Sequence, residues 1–301
     1  MKLLQQIRMA IKEPTLFVDF IKRKTKEKLL WNYYYNSLRN PKFKSKIPNN
    51  YKIQKYIITD LKNRGFRLVN LKIDIKDYKK YVRQAKYQDF PYYYNVVIRN
   101  NFFEKTLEHY VTAKLLSLSN KDVYIDVANA DAPTVEIYSR LYGCKSYRQD
   151  LLYQKGIKGN VIGGDAGNMS VKDGFATKMA LHCCFEHFEG NSDINFIKET
   201  NRVLQSGGKL CIAPLYLFKK YAIQTDPATL QKKGIPFESD AVLYCAKGFG
   251  QQHSRHYDAA HLMERIKKNL KNLKLTIYVV NNEKEIDKSC YVKFVALFEK
   301  K

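Results

Sequence analysis

Four side chains between residues 126 and 182 share one arrangement. Asp126, Asp150, Asp165 and His182 each stand where a short apolar run ends. Three carboxylates and an imidazole at successive strand ends can accept hydrogen bonds from hydroxyl and amino groups and can move a proton near neutral pH. The first lies in residues 123–141, VYIDVANADAPTVEIYSRL, which reads as a buried strand, a tight loop and a helix. Ala128, Ala130 and Ala132 follow Asp126 at alternate positions. A strand–loop–helix unit of this kind presents backbone N–H groups and a helix N-terminus to a charged or polar ligand. The pattern D-x-A-x-A-x-A has the spacing of a D-x-G-x-G-x-G loop with alanine at every glycine. Alanine takes a left-handed backbone at a cost of about 1–2 kcal/mol, where glycine does so freely. The loop is therefore expected either to follow another path or to hold its ligand less well. By itself it is equally well explained by plain strand-to-helix packing.

The elements that must position these groups alternate. Gly143 is a C-terminal stop for the helix. Residues 144–150 read as a second strand and 160–165 as a third, ending at Gly163-Gly164-Asp165. A turn at Asp173-Gly174 precedes a strand running into His182. A helix over 192–206 has Ser192 or Asp193 as cap and Gly207-Gly208 as stop. Residues 209–217 form a strand, 257–269 a helix capped near Asp258, and two final strands close the chain. This alternation predicts a doubly wound, mostly parallel sheet, with ligands at the carboxyl ends of its strands.

The region 122–300 resembles a class I S-adenosylmethionine-dependent methyltransferase, and is most similar to the type 11 group. The likeness is carried by YIDVANADAP, GGDAGNMSVKDGFA, LHCCFEHF, RVLQSGGKLCI and the closing helix–strand–strand. It implies an α/β, Rossmann-like methyltransferase sheet, mostly parallel with an antiparallel last strand. The chain departs from the family in its alanine loop and in the short span between Asp150 and Asn160, which has almost no room for a crossover helix. Carried over by position, the resemblance implies S-adenosyl-L-methionine as cofactor. Residues 126–132, among them Asp126, Ala128 and Ala130, would face its amino-acid part and ribose. Gln149 or Asp150 would accept from ribose hydroxyls, Asp165 and Ala166 would meet the adenine, and residues 182–185 would floor the site near the sulfonium.

Methyl transfer is an in-line displacement in which the acceptor must be aligned, kept dry and often deprotonated. His182, Glu186 and His187 are the candidate catalytic groups; the plainer account has Glu186 and His187 only holding loops together. A second cluster, GFGQQHSRHYDAAHL, carries His253, Arg255, His256 and Tyr257, which the resemblance places beside the acceptor, and His261. Its histidine spacing, without a thiolate nearby, does not suggest a metal site.

The 301 residues carry 53 Lys+Arg against 29 Asp+Glu, a formal net charge of +24. The excess is concentrated in the first 120 residues and favours anionic partners: an acidic glycan, an acidic membrane face or, less readily, nucleic acid. Coding bias spread over solvated faces is the competing explanation. Six scattered cysteines suit a reducing compartment rather than a disulfide framework. No signal peptide or membrane span is visible, so a cytoplasmic protein is expected, peripheral at most to the inner membrane face. Residues 1–100 read as a basic, mainly helical extension and 101–301 as the methyltransferase domain. In the extension, residues 13–38 form a basic helix with an apolar side, 51–64 a second helix, and DFPYYY an aromatic loop. A long helix over 101–118 leads into the first sheet strand.

The sequence thus favours an enzyme that methylates a hydroxyl on a glycan or lipid-linked precursor. A binding or scaffold protein that has lost its cofactor, an RNA methyltransferase, and a nucleotide-sugar or dinucleotide enzyme are the alternatives.

Overall fold

The computed structural model describes residues 10–11, 13–37, 44, 46–48, 50–226, 229 and 237–301. The chain forms two compact units, residues 1–49 with 220–256 and residues 50–219 with 257–301.

The second unit is built on a nine-stranded sheet. Its strands in chain order are β1 (Leu68–Leu71), β2 (Val123–Val127), β3 (Lys145–Asp150), β4 (Gly156–Lys158), β5 (Val161–Gly163), β6 (Ala176–His182), β7 (Leu204–Ala213), β11 (Leu273–Val280) and β12 (Phe294–Lys300). Across the sheet the order is β1-β11-β12-β7-β6-β2-β3-β5-β4. β7, β6, β2, β3 and β5 run parallel, and β12 lies antiparallel between β7 and β11. This is the mostly parallel, Rossmann-like sheet with an antiparallel last strand that the sequence implied. Tyr124, Ile125 and Val127 of β2 are all buried, as a strand covered on both faces requires.

Helices α2 (Tyr51–Asn63), α3 (Ile75–Ala85), α4 (Phe102–Leu116), α5 (Thr134–Tyr142), α6 (Ser192–Val203) and α7 (Ala259–Arg265) pack on this sheet's unit. α5 ends at Gly143, which takes φ 72° as expected of a C-terminal stop. α7 is capped by Asp258, whose side chain accepts from the His261 N–H.

Several expectations are corrected. The N-cap of α6 is Asn191, not Ser192 or Asp193. Asp193 is buried and takes hydrogen bonds from Arg265 and from the Tyr257 hydroxyl at 2.6 Å. α6 stops at Val203 and passes straight into β7, so Gly207-Gly208 lie inside a strand. Gly208 is there for close approach: a Cβ would meet the carbonyl oxygens of Gln205 at 2.8 Å and Thr177 at 3.1 Å. Arg202 of the RVLQSGG motif binds the Met169 and Val171 carbonyls, Asp173 and Glu199. It thereby clamps the connection between β5 and β6, a positioning role.

Residues 51–100, read as part of an extension, place α2, β1 and α3 in this unit, and β1 pairs with β11. In place of a crossover helix after β3 the chain makes the antiparallel hairpin β4–β5.

The first unit holds helix α1 (Pro14–Ser37) and a three-stranded sheet of β8 (Ala222–Thr225), β9 (Val242–Cys245) and β10 (Ser254–His256), in the order β10-β8-β9. α1 leaves Leu16, Val18, Ile21 and Leu29 exposed. Leu38, included in the expected helix, and most of residues 39–49 lie outside the described residues. No helix of the described residues is long and apolar enough to cross a membrane.

Candidate functional site

The parallel register brings the ends of β2, β3, β5 and β6 to one edge. Asp126 pairs with Arg148 and Ala180, Asp150 with Gly163, and His182 with Ala213. A cavity of about 380 Å³ opens there, lined among others by Ala128, Gln149, Asp150, Asp165 and Ala166. These are five of the eight residues that the family resemblance assigned to a cofactor. Cys184, His187 and Phe188 line the cavity from the β6 side, and Leu151 stands 72% exposed at its rim.

The alanine loop keeps a left-handed path. Ala128, Ala130 and Asp131 have φ of 51°, 47° and 61°. The loop is fastened to the second strand tip. Asn129 N–H donates to the Gln149 carbonyl at 3.0 Å, Ala128 N–H to Gln149 Oε1 at 3.3 Å, and Ala130 N–H to Asp150 Oδ2 at 3.0 Å. Gln149 Nε2 reaches on to the Gly164 carbonyl at 2.5 Å, tying in the third tip. These bonds offset the cost of holding alanines in left-handed geometry. Asp165 exists in a tight turn, its Oδ1 accepting from Gly167 N–H at 2.8 Å.

Asp126 does not line the cavity. It is buried beneath the loop and accepts from the Tyr124 hydroxyl (3.0 Å), Asn129 (2.5 Å), the Thr134 hydroxyl and His182 Nδ1 (2.9 Å). Burial alone would raise its carboxyl. The charge and hydrogen bond of His182, with those of Thr134 and Asn129, outweigh it and hold the pKa below the usual 3.8. His182 is turned to Asp126, with its ring 4.8 Å from that of His109, so the expected floor of residues 182–185 is represented by Cys184. Ala130 acts through Asp150, as described.

Of the proposed catalytic groups, His187 lines the cavity and Glu186 is buried beside it, His187 Nε2 lying 3.6 Å from Glu186 Oε1. The acceptor residues expected from the sequence divide between the units. His253, Arg255 and His256 belong to the first and Tyr257 to the second. Arg255 is fully buried, with Nε on the Tyr221 hydroxyl at 3.0 Å and Nη2 on Glu238 at 2.5 Å. Tyr257 is buried against Asp193. In the aromatic loop Tyr92 is exposed, and Tyr93 is buried with its ring stacked on His109.

Sequence reasoning missed the polar side of α4. Glu104, Glu108 and His109 are buried, and Lys105 Nζ lies 3.0 Å from both Glu108 oxygens. The residues were visible in EKTLEHY, but Glu104 and Glu108, four apart, share a helix face as solvated carboxyls do, so no pattern marked them as buried. Burial, then the charge of Glu108, pushes Glu104 up to about 8, against the N–H groups of Tyr291 and Val292. Burial likewise lifts Glu108 to about 6, against Lys105. His109 is held well below the ordinary imidazole value by burial and the charges of His182 and Lys105.

A raised carboxyl costs stability as pH climbs. Between 4.5 and about 8 the folded protein keeps the Glu104 proton that the unfolded chain has released, so stability falls across that window. Glu104→Gln removes this dependence. Its melting temperature relative to the parent should climb steadily from pH 5 to pH 8; a difference that stays flat would show that Glu104 is ionised in the fold.

No family model matches the chain, and no curated protein matches it. Solved structures do. The Burkholderia thailandensis 1,6-didemethyltoxoflavin-N1-methyltransferase, with 1,6-didemethyltoxoflavin and S-adenosylhomocysteine bound, is 12% identical; the match covers 77% of this chain and 92% of that one at a TM-score of 0.45. The glycopeptide N-methyltransferase MtfA, complexed with sinefungin, is 9% identical over 65% of this chain and 86% of that one, at 0.45. The Bacillus YcgJ protein is 11% identical over 65% and 98%, at 0.42. Likeness of this degree assigns no chemistry to the chain.

Proposed function

We propose that the protein is an S-adenosylmethionine-dependent methyltransferase whose cofactor lies in the cavity at the tips of β2, β3 and β5. The observation that carries this reading is the convergence on one cavity of Ala128, Gln149, Asp150, Asp165 and Ala166 from three separate strand ends. The residues fit the group. Each Asp150 oxygen accepts one protein hydrogen bond, from Ala130 N–H and Leu152 N–H, which leaves acceptor capacity for ribose hydroxyls. Asp165 has an oxygen beyond the one engaged by Gly167 for the adenine amino group. Phe188 and Leu151 offer apolar surface to a base. When bound, the cofactor supplies an electrophilic methyl on a sulfonium. The chain's part is to hold the ribose through Asp150, to keep the loop fixed through Asp126 and Gln149, and to exclude water beside Cys184 and His187.

The sequence favours a hydroxyl acceptor on a glycan or lipid-linked precursor; the buried carboxyls of α4 favour nitrogen, as argued below. For the first unit we keep an anionic surface as the partner, supported by exposed Val18, Ile21 and Leu29 next to Lys22 and Lys28 on α1.

The test is calorimetric titration with S-adenosylhomocysteine. Micromolar binding that Asp165→Ala weakens at least tenfold is expected. Absence of binding at millimolar ligand sinks the enzyme reading and leaves a sheet that serves as a scaffold.

A further inference from the structure

Beyond the cavity the same sheet edge continues over the ends of β6, β7 and β12. Here the residues after His182 divide: Cys184 and His187 line the cavity, while Cys183 and Glu186 belong to a second group. Cys183 holds a left-handed backbone, φ 55°, and its Sγ lies 3.4 Å from the Tyr216 hydroxyl. Tyr216 follows the end of β7, and its ring stands 6.5 Å from that of Tyr291, just before β12. Because β12 runs antiparallel, its start lies at the edge where the parallel strands end. α4 completes the group with Glu104, Lys105 and Glu108. The members feel one another's charge: Glu108 that of Glu186 and His182, Cys183 that of Glu186 and Glu108.

Three carboxyls and one ammonium therefore share a buried place in a chain whose overall charge is +24. Glu108 is matched by Lys105. Glu186 has only 4% of its side chain exposed, and its Oε2 has no hydrogen-bond partner among the described residues. The same holds for Glu104 Oε1 and for His109 Nε2 on α4. Buried polar atoms left without partners are destabilising unless a ligand meets them. Tyr291, at the edge of the group, is 37% exposed. Tyr216, whose hydroxyl meets Cys183 Sγ and whose ring lies 6.5 Å from that of Tyr291, gives it aromatic surface, which suits a cation.

We propose that the acceptor is an amine, taken as its ammonium form by this carboxyl group, with Glu186 as the residue that receives it and removes its proton. This rests on the methyltransferase reading. In the step, the ammonium gives one proton to the Glu186 carboxylate, leaving a neutral amine and a carboxylic acid. The nitrogen lone pair forms the new N–C bond as the S–C bond breaks, and that bond's electron pair stays on sulfur. The products are a methylated ammonium and a neutral thioether. Hydrogen-bonding capacity and sign decide between acceptors. His187 lies beside Oε1, so the orphaned Oε2 is the open position. There an ammonium donates to an oxygen among carboxyls, an alcohol brings no opposite charge and a carboxylate adds a like one.

The experiment is a binding measurement on the full chain with three probes of one shape: phenethylamine, 2-phenylethanol and phenylacetate. Each is titrated by calorimetry at pH 7, with and without S-adenosylhomocysteine. The amine should bind at least tenfold more tightly than the alcohol, with no binding of the acid. Glu186→Gln should remove that preference while leaving S-adenosylhomocysteine affinity within about twofold. Equal binding of amine and alcohol, preferential binding of the acid, no binding of any probe at 10 mM (about −2.7 kcal/mol), or an amine preference that survives in a folded Glu186→Gln variant would overturn the proposal. The wild-type comparison stands even if the variant does not fold. Failure of S-adenosylhomocysteine to bind would instead remove the cofactor reading, so the two failures are separable.

Discussion

Asp126→Ala is expected to lower the stability of the fold by about 3–5 kcal/mol, the range for breaking a buried, hydrogen-bonded charge pair. Four donors converge on this one carboxylate, from Tyr124, Asn129, Thr134 and His182, and all are buried or nearly so. Removing the acceptor strands them together, and α5 loses the anchor of its first residue, Thr134. Urea unfolding at pH 7 reads the loss directly. The pH dependence has a definite sign. A carboxyl whose folded pKa lies below its unfolded one contributes stability above the unfolded value and loses it as pH falls through the folded value. The gap between parent and variant should therefore narrow on acidification below about pH 4. A loss of less than about 1 kcal/mol at pH 7 would show that the four donors find other partners and that the Asp126 network is not an anchor.

Asp150→Ala is expected to weaken S-adenosylhomocysteine binding by about 100-fold or more, equivalent to about 2.7 kcal/mol. Two contributions combine in this residue. Its carboxylate is the acceptor we assign to the ribose, and its Oδ2 fixes Ala130 N–H in the left-handed loop. Asp150→Asn separates them. The amide oxygen can still support Ala130, while the charge-assisted bonds to hydroxyls are lost. The asparagine variant should bind between parent and alanine variant by calorimetry. Equal affinities for all three proteins would remove Asp150 from the site.

Much of this edge was legible in the sequence because each group stood at the end of an apolar run. The tips Asp126, Asp150, Asp165 and His182 were placed by the ends of those runs, and the mostly parallel, doubly wound character of the sheet followed from the alternation of elements; its strand order did not. What periodicity could not give was the direction in which each tip points. Asp126 and His182 face each other under the loop, while Asp150 and Asp165 face the cavity; that choice depends on partners such as Asn129 and Thr134, which carry no pattern. β1 escaped notice because LVNL is four residues long and flanked by charge, so its strand character comes from β11 rather than from itself. β5 was expected, but its partner β4 escaped because three residues beginning at a glycine leave no hydrophobic period. The acidic side of α4 is a different case: the polar residues were visible, but only burial shows that they meet nothing in solvent.

The left-handed alanines have a kinetic as well as an energetic consequence. A glycine loop samples many conformations and must surrender that freedom when a ligand arrives. Ala128 and Ala130 have fewer conformations to surrender, and their geometry is imposed when the chain folds. The conformational cost thus falls on folding rather than on association. A loop of this kind forms a rigid socket, in which ligand arrival needs no ordering of the backbone, and ligand retention depends on contacts alone.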